Sequence, residues 1–264
     1  MNALPRTRLR RITNAQRGFT LVELMVTVGI ALFLLYGLVT IVQGFRRTSL
    51  DQQSLAQLQD QQRFAITVLT DVIQAGGYFP DPTAYTPATS LTAAPPLGLP
   101  PGAPPFGTGQ PFMGTHSAAA PGDTIGVRYR TALNDGVINC NGTTNTGFPP
   151  PDHLYTNSFS VVLTGQTGQL QCSLDGAPPV VLVTGVTNLT IYYGVKRNFA
   201  VTDYNVDTYL TADQMLNTDW DNVSSVRVVL TFTNPLYKGP GGGQQPTVTF
   251  DRVVEVMARA GPFT

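Results

Sequence analysis

Charge is what this chain has least of. Only 12% of its 264 residues are Asp, Glu, Lys or Arg, sixteen of each sign, so the formal net charge is zero. Histidine occurs twice, cysteine twice and tryptophan once. Each scarcity excludes something. Without a basic surplus there is no patch to offer nucleic acid. His116 and His153 stand at no ligand-like spacing from Cys140 and Cys172, so no metal or cofactor is expected. Gly-x-Ser-x-Gly, a P-loop, Gly-x-Gly-x-x-Gly after a strand and His-Glu-x-x-His are all missing, so no catalytic residue is nominated and an enzyme is not expected. Thr, Asn, Gln, Gly and Pro take the place of charge. That composition suits a β-rich domain outside the cytoplasm better than a cytosolic enzyme.

Proline is absent from Phe19 to Ala75, and charge is absent from Leu24 to Val42. The uncharged run has 19 residues. At about 1.5 Å rise per residue it matches a hydrocarbon core about 30 Å thick. Ahead of it, Met1 to Gly18 carries Arg6, Arg8, Arg10, Arg11 and Arg17 and no acidic residue. The positive-inside rule therefore keeps this leader in the cytoplasm and sends the rest of the chain across the membrane. Arg46 and Arg47 weaken the asymmetry but are outnumbered. A secretory signal peptide would have a shorter apolar core and a small-residue cleavage site, whereas Gln43-Gly44-Phe45-Arg46-Arg47 follows here. A plain signal anchor leaves Glu23 unexplained. A carboxylate near the head of a spanning helix is costly. From the residues alone, it either reaches the headgroups and is solvated, or it finds a partner.

Beyond Arg47 the helix changes character. Leu55, Leu58, Ala65, Ile66, Leu69, Val72 and Ile73 recur on one helical face, and Gln52, Gln53, Gln57, Gln59, Asp60, Gln61 and Gln62 cover the rest. Gly76-Gly77 ends the pattern. The spacing predicts a helix over 19–75, membrane-spanning at about 24–42: either one helix of roughly 85 Å or two with a bend near Gly44.

Residues 76–122 hold eleven prolines and eight glycines, with no charge between Pro82 and Gly122. This stretch is read as loop laid over the domain surface. The remainder, 123–264, reads as β structure. Strands are expected around Ile125–Tyr129, Phe159–Leu163, Leu189–Tyr193, Val223–Thr233 and Val248–Met257, with a short buried run at Val180–Val183 and a hairpin loop at Gly239–Gly243. An antiparallel sheet with one apolar face, covered by the amphipathic half of the helix, makes an α+β fold.

Across the membrane, Cys140 and Cys172 are expected to form a disulfide. It would close a loop of about 30 residues, worth about 3–4 kcal/mol. Asp203, Asn205 and Asp207 have the alternate-oxygen spacing of a calcium loop, but Thr208 and Gln214 stand where an EF-hand needs Gly and Glu. The competing reading is a polar connection between Tyr193 and Val223. Asp219 and Asp221, flanking Trp220, are read as solvated.

Arg17-Gly18-Phe19-Thr20-Leu21-Val22-Glu23-Leu24 resembles the processing site of type IV prepilins, the class III kind of N-terminal signal. The resemblance implies a pilin-like fold, with cleavage between Gly18 and Phe19 by a prepilin peptidase and methylation of the new Phe19 amine. It also implies that Glu23 of one subunit pairs with the Phe19 amine of a neighbour and sets subunit register. Loss of the leader would leave eleven basic against sixteen acidic residues.

Further stretches are similar to PilW-type minor pilins: Arg63-Phe64-Ala65, Gln74 to Tyr78, Asp135 to Gly142, Thr187 to Val195 and Asp219 to Val228. That family implies assembly and initiation of a type IV pilus together with other minor pilins and the major pilin. It also implies a single pass through inner-membrane lipid, a periplasmic C-terminal domain, and later a place in the fibre or at its tip. A minor pseudopilin of a type II secretion system shares the N-terminal logic. A tip adhesin using the proline-rich segment or residues 196–222 is the alternative of another class.

Overall fold

The computed structural model describes residues 18–147, 152–165, 167–200 and 205–259. The arginine-rich leader up to Arg17, and Asp203 and Tyr204 of the candidate calcium loop, lie outside the described residues. The chain divides into two compact units, Met1–Gln52 and Gln53–Thr264.

The first unit is the opening part of one helix, α1 (Leu21–Gln74), 54 residues long. Gly44 lies inside it, and the helical hydrogen bonding continues through that point. Thr20 caps its start: the Glu23 N–H donates to Thr20 Oγ1 at 3.3 Å and the Leu24 N–H to the Thr20 carbonyl at 3.2 Å. The threonines along this stretch keep their hydroxyls inside the helix. Thr27 donates to the Leu24 carbonyl at 2.9 Å, Thr40 to that of Gly37 at 2.8 Å and Thr48 to that of Gly44 at 3.1 Å. Internal satisfaction of this kind is what a hydrocarbon surrounding demands.

The second unit begins with the last turns of α1. Leu58, Ala65, Leu69, Val72 and Ile73 are buried, and their steps of three, four and seven place them on one face. Gly76 and Gly77 end the helix for separate reasons. A Cβ at Gly76 would collide with the Phe112 ring, and Gly77 has a φ of +81°, the left-handed conformation of a helix terminator.

Two antiparallel sheets follow, not one. The first is a meander of β1 (Phe112–Thr115), β2 (Thr124–Thr131), β3 (His153–Thr164), β4 (Thr167–Leu174) and β5 (Val180–Thr184), in that spatial order. The second has the order β7-β6-β8-β9, from β6 (Val186–Val195), β7 (Thr208–Leu210), β8 (Val223–Thr233) and β9 (Thr247–Glu255). A single residue, Gly185 (φ +83°), carries the chain from the edge of the first sheet into the second. Asp123 joins the sheets. Its N–H donates to the Leu189 carbonyl at 2.7 Å, and its Oδ2 accepts the Ile191 N–H at 2.7 Å. The inward rows, such as Ile125, Val127 and Tyr129 on β2 and Val226, Val228 and Leu230 on β8, share one core with the buried face of α1.

The proline-rich stretch is a third layer. It covers the face of the first sheet that points away from that core. Gly126, Arg128 and Arg130 alternate with the core row of β2, and a Cβ at Gly126 would press on Phe106. Arg128 is fully buried beneath this layer. Its guanidinium donates to the carbonyls of Thr92 (2.6 Å), Gly107 (3.0 Å) and Gln110 (2.8 Å) and lies 4.3 Å from the Phe106 ring centroid. The stretch read as loop also supplies the strand β1 and a capped turn of helix, α2 (Pro87–Ser90).

Two expectations need correcting. Val180–Val183 is not a buried run: Val180 and Val181 are half-exposed and only Val183 is buried, because β5 is a sheet edge. Asp219 is not solvated. It is buried, and Arg197 Nε donates to its Oδ1 at 3.4 Å while Arg197 Nη2 reaches its Oδ2 at 2.5 Å. The hydrogen bonds from Arg197 hold the Asp219 carboxyl below the usual carboxylate range.

Candidate assembly surface

The functional residues read from the sequence fall at the start of α1. Among the described residues beyond its chain neighbours, Gly18 has no atom within 4 Å of the position a Cβ would take, and Phe19 is 79% exposed. Glu23 sits in the first turn of α1. That is the end of a helix at which an acidic residue suits the helix dipole. Sequence reasoning missed Thr20. Its signal was present, since Thr20-Leu21-Val22-Glu23 has the spacing of a capping box, and the bond from the Glu23 N–H to Thr20 Oγ1 forms one half of it.

After Glu23 comes a surface without charge. Leu24, Met25, Val28, Leu32, Phe33 and Leu35 are exposed, as are most apolar residues up to Val42. The helix is long and apolar enough here to cross a membrane. A soluble domain does not leave so large an apolar surface to water. Lipid or other apolar helices must cover it.

Cys140 and Cys172 are joined in a disulfide, with Cα atoms 6.3 Å apart. Both are buried, and the bond anchors the irregular segment 132–147 to β4. Asp135 shapes that segment by accepting the N–H groups of Ala132 (2.8 Å) and Val137 (3.0 Å). The Tyr129 hydroxyl donates to the Ile138 carbonyl at 2.8 Å, and burial pushes the Tyr129 pKa upward.

Among the described residues no group of His, Cys, Asp and Glu could hold a metal ion. His116 pairs with Asp123 at 2.7 Å and His153 with Asp175 at 2.9 Å, well apart in the fold. In the candidate calcium loop, Asp207 turns to its own chain. It accepts the N–H groups of Asn198 and Arg197 and the Thr208 hydroxyl, and these bonds, the one from Asn198 foremost, lower its pKa.

Two family models match the chain. The Prokaryotic N-terminal methylation motif matches residues 13–38, and Type IV Pilus-assembly protein W matches residues 161–255. The chain is a PilW-like type IV minor pilin. No curated protein and no solved structure matches it. The first match runs through Gly18, Phe19, Thr20 and Glu23 into the apolar part of α1. The second begins in β3 and ends at the last residue of β9. This pilin takes part in type IV pilus assembly, and its exposed apolar helix makes it a membrane-anchored subunit. The prepilin motif implies processing by a prepilin peptidase and assembly with other pilins. Family membership points to a structural protein rather than a catalyst.

Proposed function

We propose that this pilin is cut between Gly18 and Phe19 and methylated on the new Phe19 amine. It then waits in the inner membrane as a single-pass protein, with the chain beyond the span at about 24–42 in the periplasm. From there it joins other minor pilins and the major pilin to start the filament. In that assembly Glu23 meets the Phe19 amine of a neighbouring subunit and sets their register. One observation carries this reading: Glu23 is the single carboxylate at the head of an exposed helical surface that has no other charge from Leu24 to Val42. Inside a bundle of apolar helices such a carboxylate is costly unless an opposite charge meets it. A free α-amine four residues away in sequence provides that charge on the next subunit. The match to the pilus-assembly family supports the pilus over the secretion pseudopilin.

The test is Glu23→Ala. The variant is expected to lose its leader normally, because Gly18 and Phe19 are unchanged, while surface pili counted by electron microscopy fall sharply. A normal pilus count would refute the role assigned to Glu23.

A further inference from the structure

Arg46 and Arg47 stand just past the uncharged run of α1, and the pairing assigned to Glu23 leaves them unused. Both are exposed, and Phe45 beside them is 72% exposed. Among the described residues neither guanidinium has a hydrogen bond or an ion pair. Asp51, one turn farther along, is the nearest acidic residue in the sequence, so this turn of the helix is locally basic.

Their level follows from the helical rise, because α1 does not break here. The Thr48 hydroxyl donates to the Gly44 carbonyl at 3.1 Å, and the helix runs on to Gln74. The uncharged run ends at Val42. Arg46 and Arg47 therefore lie about 6–8 Å beyond its end along the axis. A run that fills the hydrocarbon core leaves a headgroup layer roughly 5–8 Å deep on each side. Side chains on a helix lean toward its N-terminus, which here is back toward the bilayer. The two guanidiniums thus reach the level of the lipid phosphates, with Phe45 on the acyl-chain side of them. Adjacent helical positions point about 100° apart, so the arginines face neighbouring sectors of the lipid around α1.

We propose that Arg46 and Arg47 form a binding site for the phosphate of an anionic phospholipid in the leaflet that faces the periplasm. The chemistry specifies this occupant. A guanidinium presents a planar fork of N–H donors that matches two oxygens of a phosphate. A zwitterionic headgroup offers the same oxygens but neutralises them with its own ammonium, whereas an anionic one keeps its charge for the arginines. The site continues the apolar surface of α1, so one helix meets the acyl chains and the headgroups of the same lipids. The inference rests on the single-pass reading proposed above. It adds a contact that the waiting subunit makes with lipid and gives up on leaving the membrane.

The test is photo-cross-linking of the purified full-length protein in vesicles of phosphatidylcholine with a minority of phosphatidylglycerol. The cross-linking residue is placed at Phe45, or at Leu34 in the middle of the uncharged run, and mass spectrometry identifies the lipid in each adduct. Among adducts from position 45, the ratio of phosphatidylglycerol to phosphatidylcholine is expected to exceed the bulk ratio at least about fivefold. Arg46→Gln with Arg47→Gln should return it to the bulk ratio while the yield of lipid adducts from position 34 is unchanged. Should the paired variant fail to insert, each single Gln variant is expected to lose part of the enrichment. A bulk ratio in the unsubstituted chain, an enrichment that survives the Gln variants, or an adduct from position 45 to a second copy of the chain instead of lipid would each overturn the proposal. If position 34 also gave no lipid adduct, the reading of α1 as a spanning helix would fall with it. Failure at position 45 alone removes only the phosphate site.

Discussion

Arg128 is the residue on which the second unit of this pilin most visibly depends, and replacing it with methionine has a calculable outcome. The guanidinium is fully buried, and its described partners are carbonyls and an aromatic ring, with no carboxylate among them. Burial pushes its pKa down to about 10 from 12.5. That corresponds to a cost of about 3 kcal/mol for holding the charge in the fold. Against this stand the carbonyls of Thr92, Gly107 and Gln110, which belong to one charge-free layer and all receive a hydrogen from this side chain, the Gly107 carbonyl accepting the Gln110 N–H at 3.4 Å as well. Stripping a buried carbonyl of its donor costs about 1–3 kcal/mol. The Gln110 carbonyl, whose bonds are buried, loses about 3 kcal/mol, the part-buried Thr92 and Gly107 carbonyls about 1 each, and methionine recovers about 3 by removing the charge, leaving a net loss of about 2 kcal/mol. For a unit of this size that lowers Tm by about 4–8 °C. Arg128→Lys should cost at least as much, because an ammonium keeps the charge but cannot fork across three carbonyls. The assay is thermal unfolding of the full-length protein in detergent, with hydrogen exchange followed on peptides covering residues 92–110. Exchange in that layer should rise in both variants. A Tm within about 2 °C of the parent, with unchanged exchange over 92–110, would refute the view that Arg128 pins the proline-rich layer.

Reduction, or Cys172→Ser, removes a bond between residues 32 apart in sequence, which should cost about 3–4 kcal/mol. The measurement is the denaturant midpoint of oxidised against reduced protein, and coincident midpoints would contradict it. At alkaline pH the buried tyrosines should dominate. Burial raises the Tyr129 and Tyr193 pKa values above 10.0 in the fold, so the unfolded chain gives up these protons first. Their contribution is full below pH 10 and is lost as pH rises through the folded values. Arg128 works the other way, since its folded value of about 10 lies below 12.5 and the fold sheds a buried charge over that window. Two tyrosines against one arginine give a lower urea midpoint at pH 11 than at pH 9, and an equal or higher one would show the sign to be wrong.

Much of the architecture could be read from residues because its causes are local. A proline-free run, an uncharged stretch and Gly76-Gly77 define α1, since helix start, membrane crossing and helix stop each leave a mark on a few neighbouring positions. The alternating rows of β2, β6 and β8 were legible for the same reason. β4 was not. Thr167-Gly168-Gln169-Leu170-Gln171-Cys172 has little β-branched character, and its inward row includes a glycine. It is a strand because β3 and β5 flank it on either side. β1 and β7 are too short to show a period. Arg128 could not be recognised as buried, because an arginine alternating with Val127 and Tyr129 looks like the solvent row of a strand. Only the proline-rich layer, folded back from 36 residues earlier to meet it at Thr92, turns that row inward.

The same distinction separates the apolar part of α1 from the β5 edge. The apolar part of α1 is visible in composition because a hydrocarbon surrounding rejects charge at every exposed position, and Glu23 stands out against that background. The β5 edge leaves no such mark: four apolar residues and a threonine describe a central strand as well as an edge strand. What distinguishes it is strand order, which places β4 on one side of β5 and no strand on the other. The choice of sequence at the four edges then becomes informative. Brevity at β1 and β7, charge at β9, and at β5 a bulge with Pro178-Pro179 just before it show that this fold guards its edges. The match to the pilus-assembly family spans Val161 to Glu255 and so includes β5. At β5 the protection rests on chain geometry, because the bulge at Leu182 breaks the register with β4 and Gln61 of α1 bonds Thr184 at the end of the strand, and neither leaves a mark in composition.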